Sequence, residues 1–512
     1  MIYWHRMIPA LESAYETVIG LEVHSQVRTR SKMFCRCSTE YSGEEPNTHV
    51  CPVCMGMPGV LPVINAAAVE ATIRTGLALN CTIPERAKFD RKNYPYPDLM
   101  KGYQISQYDM PLCVNGYLDV EVEGVTRRIR INRVHLEEDT ARLLHRHEGG
   151  ESFSLLDLNR AGMPLMEIVT EPDARSPAEA VAYLMKLRQI LRYIGVSDAD
   201  MEKGSFRCEP NLSLRPRGTE KFGSKVELKN LNSFRAALRG TEFEVERQTK
   251  ILSEGGRVES ETRGWREDTQ ETASQRSKEE AHDYRYFPEP DLPPIAVSRE
   301  YVEALRATLP ELPDARRARF SSQYGLTEYE ANLLTESRGR ADYYEEAVGL
   351  LTRAGASPAP TGDGGNGASR AKLVANWLLT DLSRQLNDAG IDIDDPAMKL
   401  TAPRFAKLLN LLQTKTITNA AAKEVLHAAF ETGADPESIV AERGLGAIED
   451  DGVVLAAVKK AIAGNPAAVA DYRSGKQSAL GALMGPVMRE TRGRANPQEV
   501  QALLKAELDA TD

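Results

Sequence analysis

The sequence predicts an α+β protein. Strands dominate residues 1–295, and helices take over from 296. A second change of character near 416 separates a helical domain (296–415) from an all-α tail (416–512). Three observations carry this. At 512 residues the chain exceeds what one core organises, so two to four domains are expected. Apolar and polar residues alternate with period two in Tyr15–Val27 and Tyr117–Asp139. From Arg299 onward helical periodicity replaces that alternation.

Composition narrows the class. A hydrophobic content of 42% and a charged content of 27% are those of an ordinary globular chain. No apolar run reaches membrane-spanning length, so no membrane association is expected. The opening MIYWHRMIPALESA lacks a sustained apolar core and a clean cleavage site, which argues against a signal peptide. Seven cysteines, an odd number, argue against a disulfide framework and for a reducing, cytoplasmic compartment. The formal net charge is −10, so a nucleic-acid partner must be met by a local basic surface. Residues 401–512 hold 13 Lys+Arg against 14 Asp+Glu, a balance that by itself marks no nucleic-acid domain.

In Tyr15–Val27, a strand puts Thr17, Ile19, Leu21 and Val23 on one face and Val18, Gly20, Glu22 and His24 on the other. Glu22 and His24 are then side by side, either as metal ligands or with His24 as a hydrogen-bonded structural residue. Cys35-x-Cys37 and Cys51-x2-Cys54 bracket a polar loop, STEYSGEEPNTHV, which has no core of its own. Two close cysteine pairs so spaced form a tetrahedral thiolate site for structural zinc. Asn65–Asn80 is an amphipathic helix. Lys88–Tyr108 interleaves Lys88, Arg91, Lys92 and Lys101 with Phe89, Tyr94, Tyr96, Tyr103 and Tyr108. Such a segment either contacts phosphates and stacks on bases, or is an aromatic loop packed on a core.

Tyr117–Asp139 reads as a hairpin turning at Glu123–Gly124; its second strand ends in Glu137, Glu138 and Asp139. Alternation sends Glu137 and Glu138 to opposite faces, so one of them faces any metal site. Ser154–Asp173 packs Asp157, Asn159, Arg160, Glu167, Glu171 and Asp173 into an apolar stretch. Strand alternation gives Glu167 and Glu171 a common face. An edge strand with its polar face in water is the plainer reading of a lone Glu; a carboxylate inside such a strand otherwise needs a partner or a metal.

Ser176–Ile194 is a helix with a Ser cap and a first-turn Pro. Gly218-x4-Gly223-Ser224-Lys225 misses the P-loop pattern, with Lys and Ser in the wrong order and strand-like flanks. Lys225, Glu227 and Lys229 still alternate onto one face and are candidates to line a phosphate site. Arg235–Glu254 is a charged helix, and the proline-rich His282–Pro294 closes the first domain. Ser357–Ser369 reads as a flexible linker.

Glu22, His24, one of Glu137 and Glu138, Glu167 and Glu209 all fall in strand-like segments. Carboxylates with one imidazole suit Mg²⁺ or Mn²⁺, and the basic segments nearby point to phosphoryl chemistry without a P-loop. No nucleophilic serine motif and no glutaminase cysteine is evident.

From about Tyr15 to the C-terminus the sequence resembles the B subunits of the tRNA-dependent amidotransferases. The resemblance rests on ETVIGLEVH, KFDRKNYPYPDLMKGYQISQYD, LDLNRAGMPLMEIVTEPD, GSKVELKNLNSF, DYRYFPEPDLPP and GKQSALGALMG with RGRANPQEVQALL, in that order. It implies a β-rich catalytic cradle, a helical domain and a helical tail that reads tRNA. It implies ATP-dependent phosphorylation of the side-chain carboxylate of mischarged Glu-tRNA(Gln) or Asp-tRNA(Asn), followed by amidation. The ammonia would come from the amidase (A) subunit, with the small (C) subunit holding the other two together and the cognate aminoacyl-tRNA synthetase a further candidate partner. Mapped onto this chain, the implied Mg²⁺ ligands are Glu22, His24, Glu138 and Glu167, with Glu209 a further candidate. Glu138, Glu167 and His24 would be the catalytic residues, Glu138 also taking a proton from incoming ammonium. Lys88, Arg91, Lys92, Lys101, Arg160, Lys225 and Lys229 would bind ATP and the tRNA end. Two positions depart from the family: Glu209 stands where Asp is usual, and Pro486 where Gln is usual. Such a proline interrupts a helix unless it lies in the first turn.

Overall fold

The apolar alternation of Tyr15–Gln26 builds a strand with one side fully packed. Ile19, Leu21 and Val23 are buried in the main core. This is the central strand of a computed structural model that describes residues 14–277, 284–354, 365–448 and 450–510. The N-terminal segment read against a signal peptide (except Ala14), His282 and Asp283 of the proline-rich closure, and residues 357–364 of the expected linker lie outside the described residues. The rest of that linker, 365–369, begins a helix.

The chain divides into two compact units, Met1–Leu312 and Pro313–Asp512. In chain order the first unit contains β1 (Tyr15–Gln26), β2 (Arg86–Ala87), β3 (Asp90–Asn93), β4 (Tyr103–Ser106), β5 (Cys113–Val122), β6 (Val125–Glu138), β7 (Arg142–Glu148) and β8 (Glu151–Asp157). It continues through β9 (Pro164–Thr170), β10 (Phe206–Pro216), β11 (Val226–Lys229), β12 (Glu261–Arg266), β13 (Glu271–Ser277), β14 (Phe287–Pro288) and β15 (Ile295–Ala296). Its helices are α1 (Ala66–Ala78), α2 (Pro177–Tyr193), α3 (Phe234–Ser253) and α4 (Arg299–Ala307).

Eight strands form one mixed sheet in the order β13-β12-β11-β10-β1-β9-β6-β5. β1 is antiparallel to both β10 and β9, and only β11–β12 is parallel. Helix α2 packs on β5 and α3 on β10, while α1 packs against β5 and β6. The Asn65 and Ser176 side chains accept from backbone N–H groups in the first turns of α1 and α2, Ser176 being the cap expected from the sequence. The β5–β6 turn has φ of 53° at Glu123 and 76° at Gly124, the two positive values that a tight I′ hairpin requires.

One irregularity matters for function. The β6–β9 register shifts between Ile131 and Arg133. Before it the buried apolar residues of β6 are Ile129 and Ile131; after it they are Val134 and Leu136. A bulge adds one residue to one strand and so reverses which side chains face the core. Arg133, His135 and Glu137 therefore emerge on the face of the sheet opposite the helices. Gly218–Lys225 joins the antiparallel strands β10 and β11, a context no P-loop shares.

The second unit is helical: α5 (Pro313–Tyr324), α6 (Glu328–Leu334), α7 (Arg338–Ala354), α8 (Gly365–Trp377), α9 (Ser383–Ala389), α10 (Ala402–Gln413), α11 (Asn419–Thr432) and α12 (Pro436–Arg443), then α13 (Asp451–Gly464), α14 (Pro466–Arg473), α15 (Ala479–Glu490) and α16 (Pro497–Asp509). One apolar core runs from Phe320 to Leu445 and a second from Val454 to Leu508. Pro486 sits inside α15, well past its first turn, and the helix continues through it. No single helix among the described residues is long and apolar enough to cross a membrane.

Candidate active site

Cross-strand pairing assembles the site. His24 on β1 is the Cα partner of Glu167 on β9, and Glu167 is in turn the partner of His135 on β6. His24 also opposes Arg207 on β10, and Glu22 opposes Glu209. Directly opposed residues share a face, so this register lays His135, Glu167, His24 and Arg207 in one row across four strands. The row lines a cleft of about 980 Å³.

His24 Nε2 lies 3.5 Å from Glu167, 3.6 Å from Glu137 and 3.9 Å from Glu22. Glu137 accepts a 2.9 Å hydrogen bond from Ser106. Burial alone would push the Glu167 carboxyl up and the His24 imidazole down. The two histidines outweigh it at Glu167 and hold that carboxyl well below the usual range. Glu167, with Glu137 and Glu22 behind it, raises His24 to about 9. Glu22 is pushed up to about 7, first by burial and then by the Glu167 charge.

The structure brings Glu22, His24 and Glu167 together, and it brings Glu137 rather than Glu138 to them. After the bulge Glu138 points to the packed side of the sheet. It is buried there, pairs with Lys101 and accepts from Ile105 N. Glu209 lines the cleft, but Lys229 Nζ holds it at 3.0 Å. Glu171 falls outside β9 and accepts from Asn132.

Of the seven cations expected at the site, Lys92, Lys225 and Lys229 line the cleft. Burial pulls the Lys92 ammonium down, yet Glu137 and Glu167 outweigh it and the net shift is upward. The other four do not line the cleft and pair with carboxylates: Lys88 with Asp90 and Asp109, Arg91 with Glu289 and Asp291, Lys101 with Glu138, and Arg160 with Asp139, which lies at the cleft. Sequence reasoning missed His135, Arg133, and the tyrosines Tyr284 and Tyr286. Tyr286 stacks on Tyr108 at 4.3 Å, and Tyr284 meets Tyr94 edge-on at 5.7 Å. Together these rings form an aromatic wall of the cleft. The apolar residues of β6 carried the signal for His135 and Glu137, because Ile129 and Ile131 are odd-numbered and Val134 and Leu136 even-numbered.

Cys35, Cys37, Cys51 and Cys54 converge with their Sγ atoms all within 4.8 Å, and none is in a disulfide. Four thiols so placed can hold one metal ion. The loop between them also has order of its own: Asn159 accepts from His49 N and donates to Glu45 O, and Asn47 accepts from Leu158 N. Hydrogen bonds to Leu158 and Asn159 thus tie down a loop that has no core of its own.

A carboxylate–imidazole cluster faced by lysines and flanked by an aromatic wall, on the open side of a sheet, suits an anionic, ring-bearing ligand. Residues 17–303 match the family described as the GatB/GatE catalytic domain, and residues 365–508 match the GatB domain. The chain is 53% identical over 496 residues to the B subunit of the aspartyl/glutamyl-tRNA(Asn/Gln) amidotransferase of Dehalococcoides mccartyi, covering 97% of this chain and 99% of that one. It is 54% identical to the corresponding subunit of Carboxydothermus hydrogenoformans and 53% to that of Thermomicrobium roseum, each over 96% of this chain and 99% of the relative. The chain belongs to the GatB family, the B subunits of these amidotransferases.

Proposed function

We propose that this chain is the phosphorylating subunit of a cytoplasmic, heterotrimeric amidotransferase, working with the amidase (A) subunit and the small (C) subunit. Its substrates on this reading are ATP and mischarged Glu-tRNA(Gln), Asp-tRNA(Asn) or both. The side-chain carboxylate is phosphorylated, and ammonia from the amidase then displaces phosphate to give the amide. The observation that carries this reading is the clustering of Glu137, Glu167, Glu22 and His24 around one point of a lysine-lined cleft.

The donor set of three carboxylates and an imidazole fits Mg²⁺ or Mn²⁺. When bound, such an ion neutralises the repulsion between the attacking carboxylate and the γ-phosphate. Lys92, Lys225 and Lys229 supply cations for phosphate oxygens, and the tyrosine wall supplies a surface for a purine. Glu138, buried against Lys101, is the candidate to take a proton from ammonium. The cysteine quartet holds a structural zinc. In the tail, the exposed Arg489 and Arg492, with Arg494 and Lys476, contact tRNA phosphates.

The test is an amidation assay of the reconstituted heterotrimer with each mischarged tRNA. His24→Ala or Glu167→Ala should lower amidation by roughly 10² or more, the scale for loss of a charge-stabilising group. Glutamine hydrolysis and tRNA binding should persist. Near-normal amidation in both variants would make this chain a tRNA-binding scaffold instead.

A further inference from the structure

We infer that Lys32 is the counter-ion of the cysteine quartet: a buried ammonium that donates to the Cys54 sulfur, keeps that thiolate as a zinc ligand and shields it from electrophiles. This rests on the structural-zinc reading above. It adds to the four cysteines a fifth residue, one that neither that reading nor the phosphoryl-transfer cleft uses.

Lys32 is fully buried. A lysine carries three N–H donors and no acceptor, and burying its charge is costly unless an anion answers it. No carboxylate among the described residues pairs with it. Its ammonium meets three acceptors instead: the His49 carbonyl at 2.7 Å, the Leu158 carbonyl at 3.3 Å and Cys54 Sγ at 3.7 Å. The two carbonyls are neutral. The anion that answers the charge is therefore the thiolate of Cys54, itself buried.

The main chain fixes this reach. Lys32 N donates to Cys37 O at 2.9 Å, so the backbone of Lys32 is tied to the first cysteine pair and its side chain to the second. Asn65 Nδ2 donates to Lys32 O at 3.2 Å. Gly162, also buried, closes the far side: a Cβ there would stand 3.4 Å from Cys54 Cβ and 3.6 Å from Lys32 Cδ. Cys51 N donates to Cys54 Sγ at 3.2 Å, so this sulfur receives two N–H groups.

Charge gives the arrangement its purpose. Four thiolates outweigh one Zn²⁺ by two negative charges, and at Cys54 the surplus is buried. Lys32 offsets one of them. An N–H donor also draws electron density from a thiolate, which weakens it as a nucleophile while it stays a ligand.

The experiment compares the zinc-loaded full-length chain with Lys32→Met, which keeps the length of the side chain and removes its charge. Competition with a chromophoric chelator should show zinc held about 10–100-fold more weakly in the variant, the scale for losing a hydrogen-bond partner of a metal ligand. Timed alkylation with N-ethylmaleimide, read by peptide mass spectrometry, should quicken at Cys54 more than at Cys35, Cys37 or Cys51. Zinc affinity within about twofold of wild type, or equal quickening at all four cysteines, would overturn the assignment and leave the zinc reading standing. If Lys32→Met fails to fold, Lys32→Gln takes its place with the same expectations. If neither folds, the wild type decides: acetic anhydride should acetylate Lys32 in the zinc-stripped chain and spare it in the loaded one. Equal acetylation in both would overturn the assignment. A wild-type chain that holds no zinc would remove this inference and the zinc reading together.

Discussion

Glu137 and Glu138 are adjacent in sequence and lie on opposite sides of the sheet. Glu137 is 3.6 Å from His24 in the cleft, and Glu138 pairs with Lys101 behind it. The two carboxylates are therefore separable by experiment. Glu137→Gln should weaken Mn²⁺ binding at least tenfold, whereas Glu138→Gln should leave it within about twofold. Isothermal titration of the folded variants measures both, and the opposite ranking would mean that the bulge in β6 is absent in solution.

Zinc should be present at about one ion per chain, held by Cys35, Cys37, Cys51 and Cys54. Because Asn47, His49 and Asn159 also tie the loop down, chelation should loosen it without unfolding the first unit. Hydrogen exchange should quicken over residues 35–54 while β1 and β9 stay protected. Elemental analysis that finds no zinc in protein purified without chelator would refute the site.

Truncation after Leu445 removes the second helical core and spares the first, which includes Ile417 to Leu445. The truncated chain should bind tRNA at least tenfold more weakly in the heterotrimer, with glutamine hydrolysis by the amidase retained. A cut at 415 would instead strip α11 and α12 from the first helical core and confound the result. Unchanged tRNA affinity after the Leu445 truncation would exclude the tail from tRNA recognition.

Glu345 links three helix-borne side chains of the second unit. It accepts from Arg316 at 3.0 Å, Arg319 at 2.6 Å and Tyr324 at 3.2 Å. Burial raises its pKa, but the Arg319 and Arg316 hydrogen bonds outweigh burial, and the net shift is downward. A carboxyl depressed on folding stabilises the native state above its unfolded pKa of about 4.3, and that contribution is lost as pH falls through the folded value. Glu345→Gln should cost about 1–3 kcal/mol at neutral pH, the range for losing hydrogen bonds to a charged group. The cost should shrink in acid, and urea melts at pH 7 and pH 3.5 would show it. An equal cost at both would contradict the depressed pKa.

Much of the site was legible from period-two alternation. Glu22 and His24 on one face of β1, and Glu167 in an apolar strand, needed no more than that rule. Glu137 required the bulge, because β6 keeps strand character across it while the buried parity changes at Asn132. His135 was hidden for the same reason. The cations were harder, because a lysine's partner is set by tertiary structure. Arg91 is neutralised by Glu289 and Asp291 from the turn after β14, which no local pattern reveals. Tyr284 and Tyr286 reach the cleft from the far end of the first unit. The helical half was clear in type, yet the break between its two cores could not be read from a composition change near 416, because α11 and α12 pack backward onto α10.

The place of β1 between β9 and β10 also sets a schedule for biosynthesis. Glu22 and His24 leave the ribosome ahead of their partners: β9 must follow before they meet Glu167, and β10 before the strand gains its second neighbour. A polypeptide released early, short of Pro216, carries Glu22 and His24 on an unpaired strand edge. Its cleft is incomplete, and its bare edge marks it for chaperones or proteases.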